Sequence, residues 1–500
     1  MKCLRRHGHY VILGLILLLA GLIRFHALGR TSFWLDEFLS LRESSGGYSS
    51  PQQFPFNRVL SHPTPPTRLD RFVPWWKLWH VYDSEINPPL YFIALRIWRQ
   101  AFGDSELAVR SLSALMSVAA VLFFYLAVSI QTSRTIALWA AAILAVAGPQ
   151  IYFAQTARNY AMWMMLAMAA IWIELAIEKN GPTLVRLTAL AICTLAMLLT
   201  HYFAALSVAA MWLYALLRLR GRARWEIITV LSIGVAMFLI LWGGNLPPQM
   251  HAIANGAALW TKDLSSHPLL ASIVRLLKLP LLSLTTLGQM VPAAIAFFVI
   301  IAIGLVRSRS EGRTTFWLIW LGVGVMGVLG LDLISHKRLL EIPRYTFVSC
   351  VAIDALIPIL SQKFLGRRWW VGPLATIAIC LVSLPRSYPQ PTEWRDLATY
   401  LQKVVQPNDV VVYTCGQWQK AEAVCLFTGI SHYAPDLPGS TVVLTDIHSS
   451  VTHQLLKPGR SIWMICFQPD LSPRAIFPNA QIQQQMLLPN VGRVSQLTAE

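Results

Sequence analysis

YVILGLILLLAGLIRFHALGRTSFWLDEFLSL, residues 10–41, joins a long apolar run to an adjacent pair of acids. The run 10–28 suits a transmembrane helix, which takes roughly 17–25 apolar residues. Its basic start resembles a signal peptide, but further runs follow and no clear cleavage site stands after Ala27, so a retained anchor is expected. Similar runs lie near 110–130, 135–154, 160–178, 185–200, 203–217, 226–245, 289–306, 315–335, 345–361 and 369–385. The spacing therefore predicts an α-helical polytopic membrane protein with about 11 transmembrane helices. Composition agrees. Hydrophobic residues make up 55% of the 500 and charged residues 13%, against about 45–50% and about 25% in ordinary globular chains. Mean hydropathy is +0.52. So few charges cannot clothe a water-soluble surface, which excludes a cytosolic enzyme and a disordered chain.

The net charge of +17 invites a nucleic-acid reading, but much of the excess sits in short connectors, where it sets membrane orientation. Lys2/Arg5/Arg6, Arg134, Lys179/Arg186, Arg218/Arg220/Arg222/Arg224, Arg307/Arg309/Arg313 and Lys363/Arg367/Arg368 occupy alternate connectors, with only Glu178 and Glu311 against them. The N-terminus is then cytoplasmic and the tail extracytoplasmic, in a multi-pass cell (inner) membrane protein, and no nucleic acid is expected as partner. The seven cysteines form no C-x-x-C pair, so no zinc or redox motif is supported. Cys415, Cys425 and Cys466 fall in the tail, where a disulfide is permitted but not implied.

Two domains are expected: a transmembrane domain over 1–385, containing a long first outer loop over 29–109, and an extracytoplasmic domain over 386–500. In the loop, PPLYFIALRIWRQAF (88–102) is too short to span and reads as an amphipathic interfacial helix; 267–288 looks similar. In the tail, a helical pattern from Trp394 precedes apolar runs at 409–413, 441–444 and 462–467, which suggests a small α/β domain.

Nearly every unusual polar residue falls on the outer face. Asp36 and Glu37 are surrounded by Phe33, Trp34, Leu35, Phe38 and Leu39; a carboxylate among apolar side chains costs free energy unless partnered, and the alternative is a plain helix exit. Asn87-Pro88-Pro89-Leu90-Tyr91 opens the interfacial helix. Gln155-Thr156-Ala157-Arg158-Asn159-Tyr160 carries an arginine suited to phosphate or to snorkelling. His201 sits in Thr200-His201-Tyr202-Phe203, where a structural histidine is the bland alternative. Lys337-Arg338 and Pro343-Arg344-Tyr345 put positive charge on a face otherwise poor in it, and such a cluster needs an anionic partner. Carboxylates and arginines converging on one face suit group transfer, with a base activating an acceptor and cations stabilising a phosphate. A lipid-linked-sugar flippase or other transporter would place ionisable groups along its lumen, where only Glu174, Asp332 and Asp354 qualify. A non-catalytic scaffold is the third reading.

FWLDEFLSL (33–41), NPPLYFIAL (87–95), FGDSELAVRSLSAL (102–115), YFAQTARNYAM (152–162), THYFAAL (200–206) and PRYTF (343–347), in this order, resemble the GT-C superfamily of lipid-linked glycosyltransferases. The branch is similar to the dolichyl-phosphate-mannose protein mannosyltransferases and aminoarabinose lipid A transferases, over roughly residues 8–385. The resemblance implies a GT-C fold and inverting transfer of a sugar from a polyprenyl-monophosphate donor to a hydroxyl or phosphate of a lipid, glycan or protein acceptor. It implies Asp36 as catalytic base, with Glu37 orienting it or meeting the acceptor. It implies Arg158 and Arg344 at the lipid phosphate, Tyr160, His201 and Tyr345 lining the site, and Asn87 and Tyr91 at the donor. Related sequences often carry His or Lys where Asn87 stands, which removes one cation here. No metal ligand or obligatory cofactor is implied, although some GT-C members use a divalent cation.

Overall fold

The structure, a computed structural model, describes residues 2–47, 54–80, 87–256, 265, 267–285, 312–415, 420–446, 449–466, 471–489 and 491–499. The helices open with α1 (Lys2–Phe25), α2 (Leu35–Ser45), α3 (Leu90–Phe102), α4 (Glu106–Gln131), α5 (Arg134–Val146), α6 (Gly148–Ala154), α7 (Tyr160–Asn180), α8 (Leu184–Leu198), α9 (Ala204–Arg218) and α10 (Gly221–Trp242). Long helices at Gly312–Ser335, Phe347–Phe364 and Val371–Ser383 follow. The chain divides into two compact units. One holds Met1–Leu28, Ile86–Tyr91 and Arg110–Pro389; the other holds Gly29–Glu85, Phe92–Val109 and Gln390–Glu500. A single cut after residue 385 does not reproduce this division, because most of the first loop belongs with the tail.

The first unit is helical, and the chain is a multi-pass membrane protein. Each expected span falls on an apolar helix except 289–306, which lies outside the described residues. Among the described residues seven helices are individually long and apolar enough to cross a membrane, and an eighth span results if α5 and α6, bent by 59°, count as one. The bend has a local cause: Pro149 interrupts the helical hydrogen-bond ladder. α1 shows its apolar side chains outward, with Leu22 63% exposed, and turns Ala20 and Arg24 inward. This is the pattern of a helix with lipid on one side. α10 comes close to α8 at Gly234, where an added Cβ would sit 2.7 Å from the Thr194 side chain; small residues permit such close helix approach.

The second unit is built on a six-stranded sheet of order β1-β3-β2-β4-β6-β5. Its strands are β1 (Leu60–Ser61), β2 (Val410–Thr414), β3 (Ser440–Leu444), β4 (Ser461–Cys466), β5 (Ala480–Leu488) and β6 (Gly492–Ala499). β2 pairs in parallel with β3 and β4. All five residues of β2, VVVYT, are buried, as expected of a central parallel strand covered on both faces. The three apolar runs of the tail are these three strands. The sequence reading missed β5 and β6, an antiparallel hairpin, and β1, which pairs antiparallel with β3.

α2 ends at Gly46, whose φ of 75° lets its N–H turn back onto the Arg42 and Glu43 carbonyls, the usual glycine stop. Its remaining terminal carbonyls take arginines. Arg96 donates to Ser45 O at 3.2 Å and Leu69 O at 2.8 Å. Arg99 donates to Leu41 O at 2.8 Å, Ser44 Oγ at 2.7 Å and Thr67 O at 2.7 Å, and pairs with Asp104 at 2.7 Å. The two arginines interleaved in the 88–102 pattern are thus buried inside this unit and close one end of α2.

Candidate functional site

Within the helical unit, four short connections bring the expected binding residues together. The first is the turn 155–159 between α6 and α7. Its Arg158 is 5% exposed, and the guanidinium carbon lies 6.0 Å from the centre of the Tyr160 ring. Ser113 Oγ on α4 donates to the Arg158 carbonyl at 3.4 Å and exchanges a 3.0 Å hydrogen bond with the Tyr91 hydroxyl. Tyr91 is fully buried, so it supports the arginine's backbone from behind.

The second connection, 199–203, carries His201 between α8 and α9. Asn159 ties the two turns: its Nδ2 donates to Thr200 O at 2.7 Å and to Asn87 Oδ1 at 3.3 Å. Asn87 belongs to the third connection, the approach to α3, where the Leu90 N–H donates to Leu199 O at 3.0 Å. The His201 ring stacks on Trp163, centroids 4.8 Å apart and planes 12° apart, and lies 5.6 Å from the Tyr160 ring. The Phe203 N–H donates to its Nδ1 at 3.1 Å, which assigns the proton of the neutral ring to Nε2. Burial, and then the charges of Arg158 and Arg344, push His201 down to about 3. The ring is therefore neutral at physiological pH and offers an Nε2–H donor beside two cations.

The fourth connection is the short helix Pro343–Tyr345. Tyr345 packs on Phe203 at 4.8 Å, and the Arg344 guanidinium carbon sits 5.2 Å from the Tyr345 ring centre. Lys337 and Arg338 take a different course: Arg338 lies 3.8 Å from Glu341, which also pairs with Arg275 at 3.0 Å. Asp332, flagged as an intramembrane acid, accepts from the Leu339 and Leu340 amides at 2.6 and 3.0 Å. It caps the short helix Leu339–Glu341.

All seven expected binding residues (Asn87, Tyr91, Arg158, Tyr160, His201, Arg344 and Tyr345) thus fall in one unit. Sequence reasoning missed Trp163 and Asn159, the residues that stack His201 and tie the turns. The signal available was spacing: Trp163 follows Asn159 and Tyr160 by four and three positions, one face of α7.

Asp36 and Glu37 belong to the other unit, in the first turn of α2. Glu37 is fully buried, and its Oε2 accepts from the Trp34 N–H at 3.1 Å. It is thus a helix cap holding the turn that carries Asp36. Asp36 is half-buried at the second helical position, where a negative charge is stabilised by the helix N-terminus. Among the described residues no three His, Cys, Asp or Glu side chains converge as a metal site.

Residues 87–243, about a third of the chain, match the model of the dolichyl-phosphate-mannose-protein mannosyltransferase family. Over those residues the chain is similar to that family. The matched segment contains Asn87, Tyr91, Arg158, Tyr160 and His201. No curated protein matches the chain. Among solved structures, the zinc- and sulfate-bound Archaeoglobus fulgidus oligosaccharyltransferase is 12% identical, with a TM-score of 0.47, covering 86% of this chain and 62% of its own. The chain thus spans less than two thirds of that protein's length. ArnT from Cupriavidus metallidurans in the apo state is 13% identical, with a TM-score of 0.48, covering 99% and 98%. The donor-bound Pmt1-Pmt2 O-mannosyltransferase of Saccharomyces cerevisiae (S. cerevisiae) is 13% identical, with a TM-score of 0.36, covering 48% and 34%. All three scores lie under 0.5, too low for residue-by-residue correspondence.

Proposed function

We propose that this protein is an inverting membrane glycosyltransferase. It moves a sugar from a polyprenyl-monophosphate donor to a hydroxyl of a lipid, glycan or protein acceptor on the extracytoplasmic face. The observation that carries the reading is the anion-seeking cluster of the helical unit: an aromatic ring stands behind each guanidinium of Arg158 and Arg344, and both charges act on a His201 ring that burial already holds neutral. Such a cluster holds a phosphate by charge and its lipid-proximal sugar by stacking.

In the reaction, Asp36 accepts the proton of the acceptor hydroxyl as its oxygen bonds to the anomeric carbon. The bond from that carbon to the phosphate oxygen breaks, and polyprenyl phosphate leaves with the electron pair. Phosphate is already a good leaving group, so cationic stabilisation by Arg158 and Arg344, with the His201 Nε2–H donating, replaces a general acid. Glu37 holds the α2 turn, which keeps Asp36 in place. Asn87 and Tyr91 shape the donor side through Asn159 and Ser113.

The test uses purified protein in lipid with mannosyl-, glucosyl- and arabinosyl-phosphodecaprenol. Wild type should transfer or release one of these sugars, Asp36→Asn should not, and Arg158→Ala should weaken donor binding. Turnover undiminished in Asp36→Asn overturns the assignment of the base.

A further inference from the structure

In the second unit the residues flanking Asp36 are tied to the tail on both sides. On the N-terminal side, Ser32 Oγ donates to Thr392 O at 2.6 Å, and Thr392 Oγ1 returns toward Ser32 O at 3.1 Å and Phe33 O at 3.2 Å. The Phe33 N–H donates to the Tyr433 hydroxyl at 2.8 Å, and that hydroxyl lies 2.8 Å from Glu106 Oε1. The hydroxyl accepts from the backbone and donates to the carboxylate, so its one proton and its lone pair are both committed. Arg395 pairs with the same Glu106 oxygen, and its guanidinium carbon lies 5.7 Å from the Tyr433 ring centre. On the C-terminal side, Phe38 is fully buried, with ring centroids 5.4 Å from Trp394, 5.9 Å from His432 and 6.0 Å from Tyr433. Gly429 lets this layer close, since an added Cβ would lie 2.6 Å from the Trp394 ring.

A fold needing only adhesion between the loop and the tail would be served by the aromatic layer alone. The relay Arg395–Glu106–Tyr433–Phe33 N–H does something narrower: it fixes one peptide unit three residues before Asp36, while Glu37 fixes the next through the Trp34 N–H. A carboxylate that must meet an acceptor hydroxyl at hydrogen-bond distance needs its backbone held to a fraction of an ångström.

We propose that Tyr433, Glu106, Arg395 and Thr392 are positioning residues for Asp36, so that the tail sets the geometry of the catalytic turn. This rests on the reading of Asp36 as base. It predicts a loss in turnover rather than in donor affinity when the relay is cut.

The experiment combines hydrogen exchange with kinetics on the full chain in detergent micelles. Tyr433→Phe keeps the ring and removes the hydroxyl; Thr392→Val is the second, independent cut. The expected result is faster exchange confined to residues 31–38. With the polyprenyl-phosphate sugar that wild type uses, kcat falls roughly 10- to 100-fold while donor KM stays within about threefold and the melting temperature is unchanged. Arg395→Lys should recover part of the rate that Arg395→Met loses. Exchange at 31–38 identical to wild type in both variants overturns the clamp. Wild-type kcat in both, with Asp36→Asn inactive, overturns positioning and leaves the base standing. An active Asp36→Asn instead overturns the base, whatever the relay does.

Discussion

Arg24 Nη1 donates at 2.8 Å to the carbonyl of Ala145, four residues before Pro149. In an uninterrupted helix that carbonyl would accept the N–H of residue 149, and proline has none. The same guanidinium holds Ser117 Oγ at 2.8 Å and the carbonyl of its own Ala20 at 3.2 Å. A charged side chain at the end of α1 therefore replaces the hydrogen bond that the α5–α6 bend removes. Exchanging Arg24 for Met would take this donor from the buried Ala145 carbonyl and Ser117 hydroxyl, at a cost of about 1–3 kcal/mol for each orphaned group. The expected outcome is a lower thermal midpoint in detergent, with Arg24→Lys falling between Met and wild type.

Glu37 and Asp36, adjacent in sequence, should separate experimentally. Glu37→Gln keeps an oxygen able to accept the Trp34 N–H, so melting and turnover should stay near wild type. Glu37→Ala should lose about 0.5–2 kcal/mol, the usual worth of a helix cap. Asp36→Asn should abolish sugar transfer with an unchanged melt. Loss of turnover in Glu37→Gln at wild-type stability would make Glu37 a direct participant.

His201 gives a signed pH dependence. Its folded value of about 3, against an ordinary 6.5, means the unfolded chain takes up a proton between those pH values that the folded chain refuses. Stability is therefore full above about pH 6.5 and declines as the pH falls toward 3. His432, pushed down to about 4 by burial and then by Arg99, acts in the same direction. Comparing unfolding midpoints at pH 7.5 and 5 should show a smaller acid-induced drop in His201→Gln than in wild type. An equal drop would mean the folded ring accepts its proton.

Arg99 is the most heavily used capping side chain of the loop. Its replacement by Ala should remove the donor to the Thr67 carbonyl and the Ser44 hydroxyl and one of the donors to the Leu41 carbonyl, at a cost of about 1–3 kcal/mol for each buried acceptor left unpaired. Limited proteolysis should then open the first loop well before the membrane helices are cut.

The spans were legible because a bilayer demands long apolar runs, and such runs need no partner to be recognised. The same holds for β2, β3 and β4, whose buried faces leave continuous apolar strings. β5 escaped because AQIQQQMLL exposes most of its length and so carries no apolar string. Arg96 and Arg99 were read in an interfacial pattern because their actual partners are backbone carbonyls, which leave no residue-type signature. Tyr91, Arg158, His201 and Arg344 were singled out by type and order. Trp163 and Asn159 were not, since an aromatic inside an apolar helix looks like packing, and an amide at a helix start looks like a cap, until the facing turn is known.

The two-residue strand Leu60–Ser61 finds its partner at Ser440 and Thr441, about 380 residues later in synthesis. At about 5–20 residues per second, the loop bearing Asp36 waits roughly 20–80 s on the ribosome before the strand that pairs with it exists. Over that interval the membrane helices from α4 onward are made while this loop lacks its sheet, and Phe33 lacks Tyr433. Assembly of the turn bearing Asp36 is thereby deferred until residues 433–444 have been made, so on the proposed reading a nascent chain carrying the helices alone would be inserted but inactive.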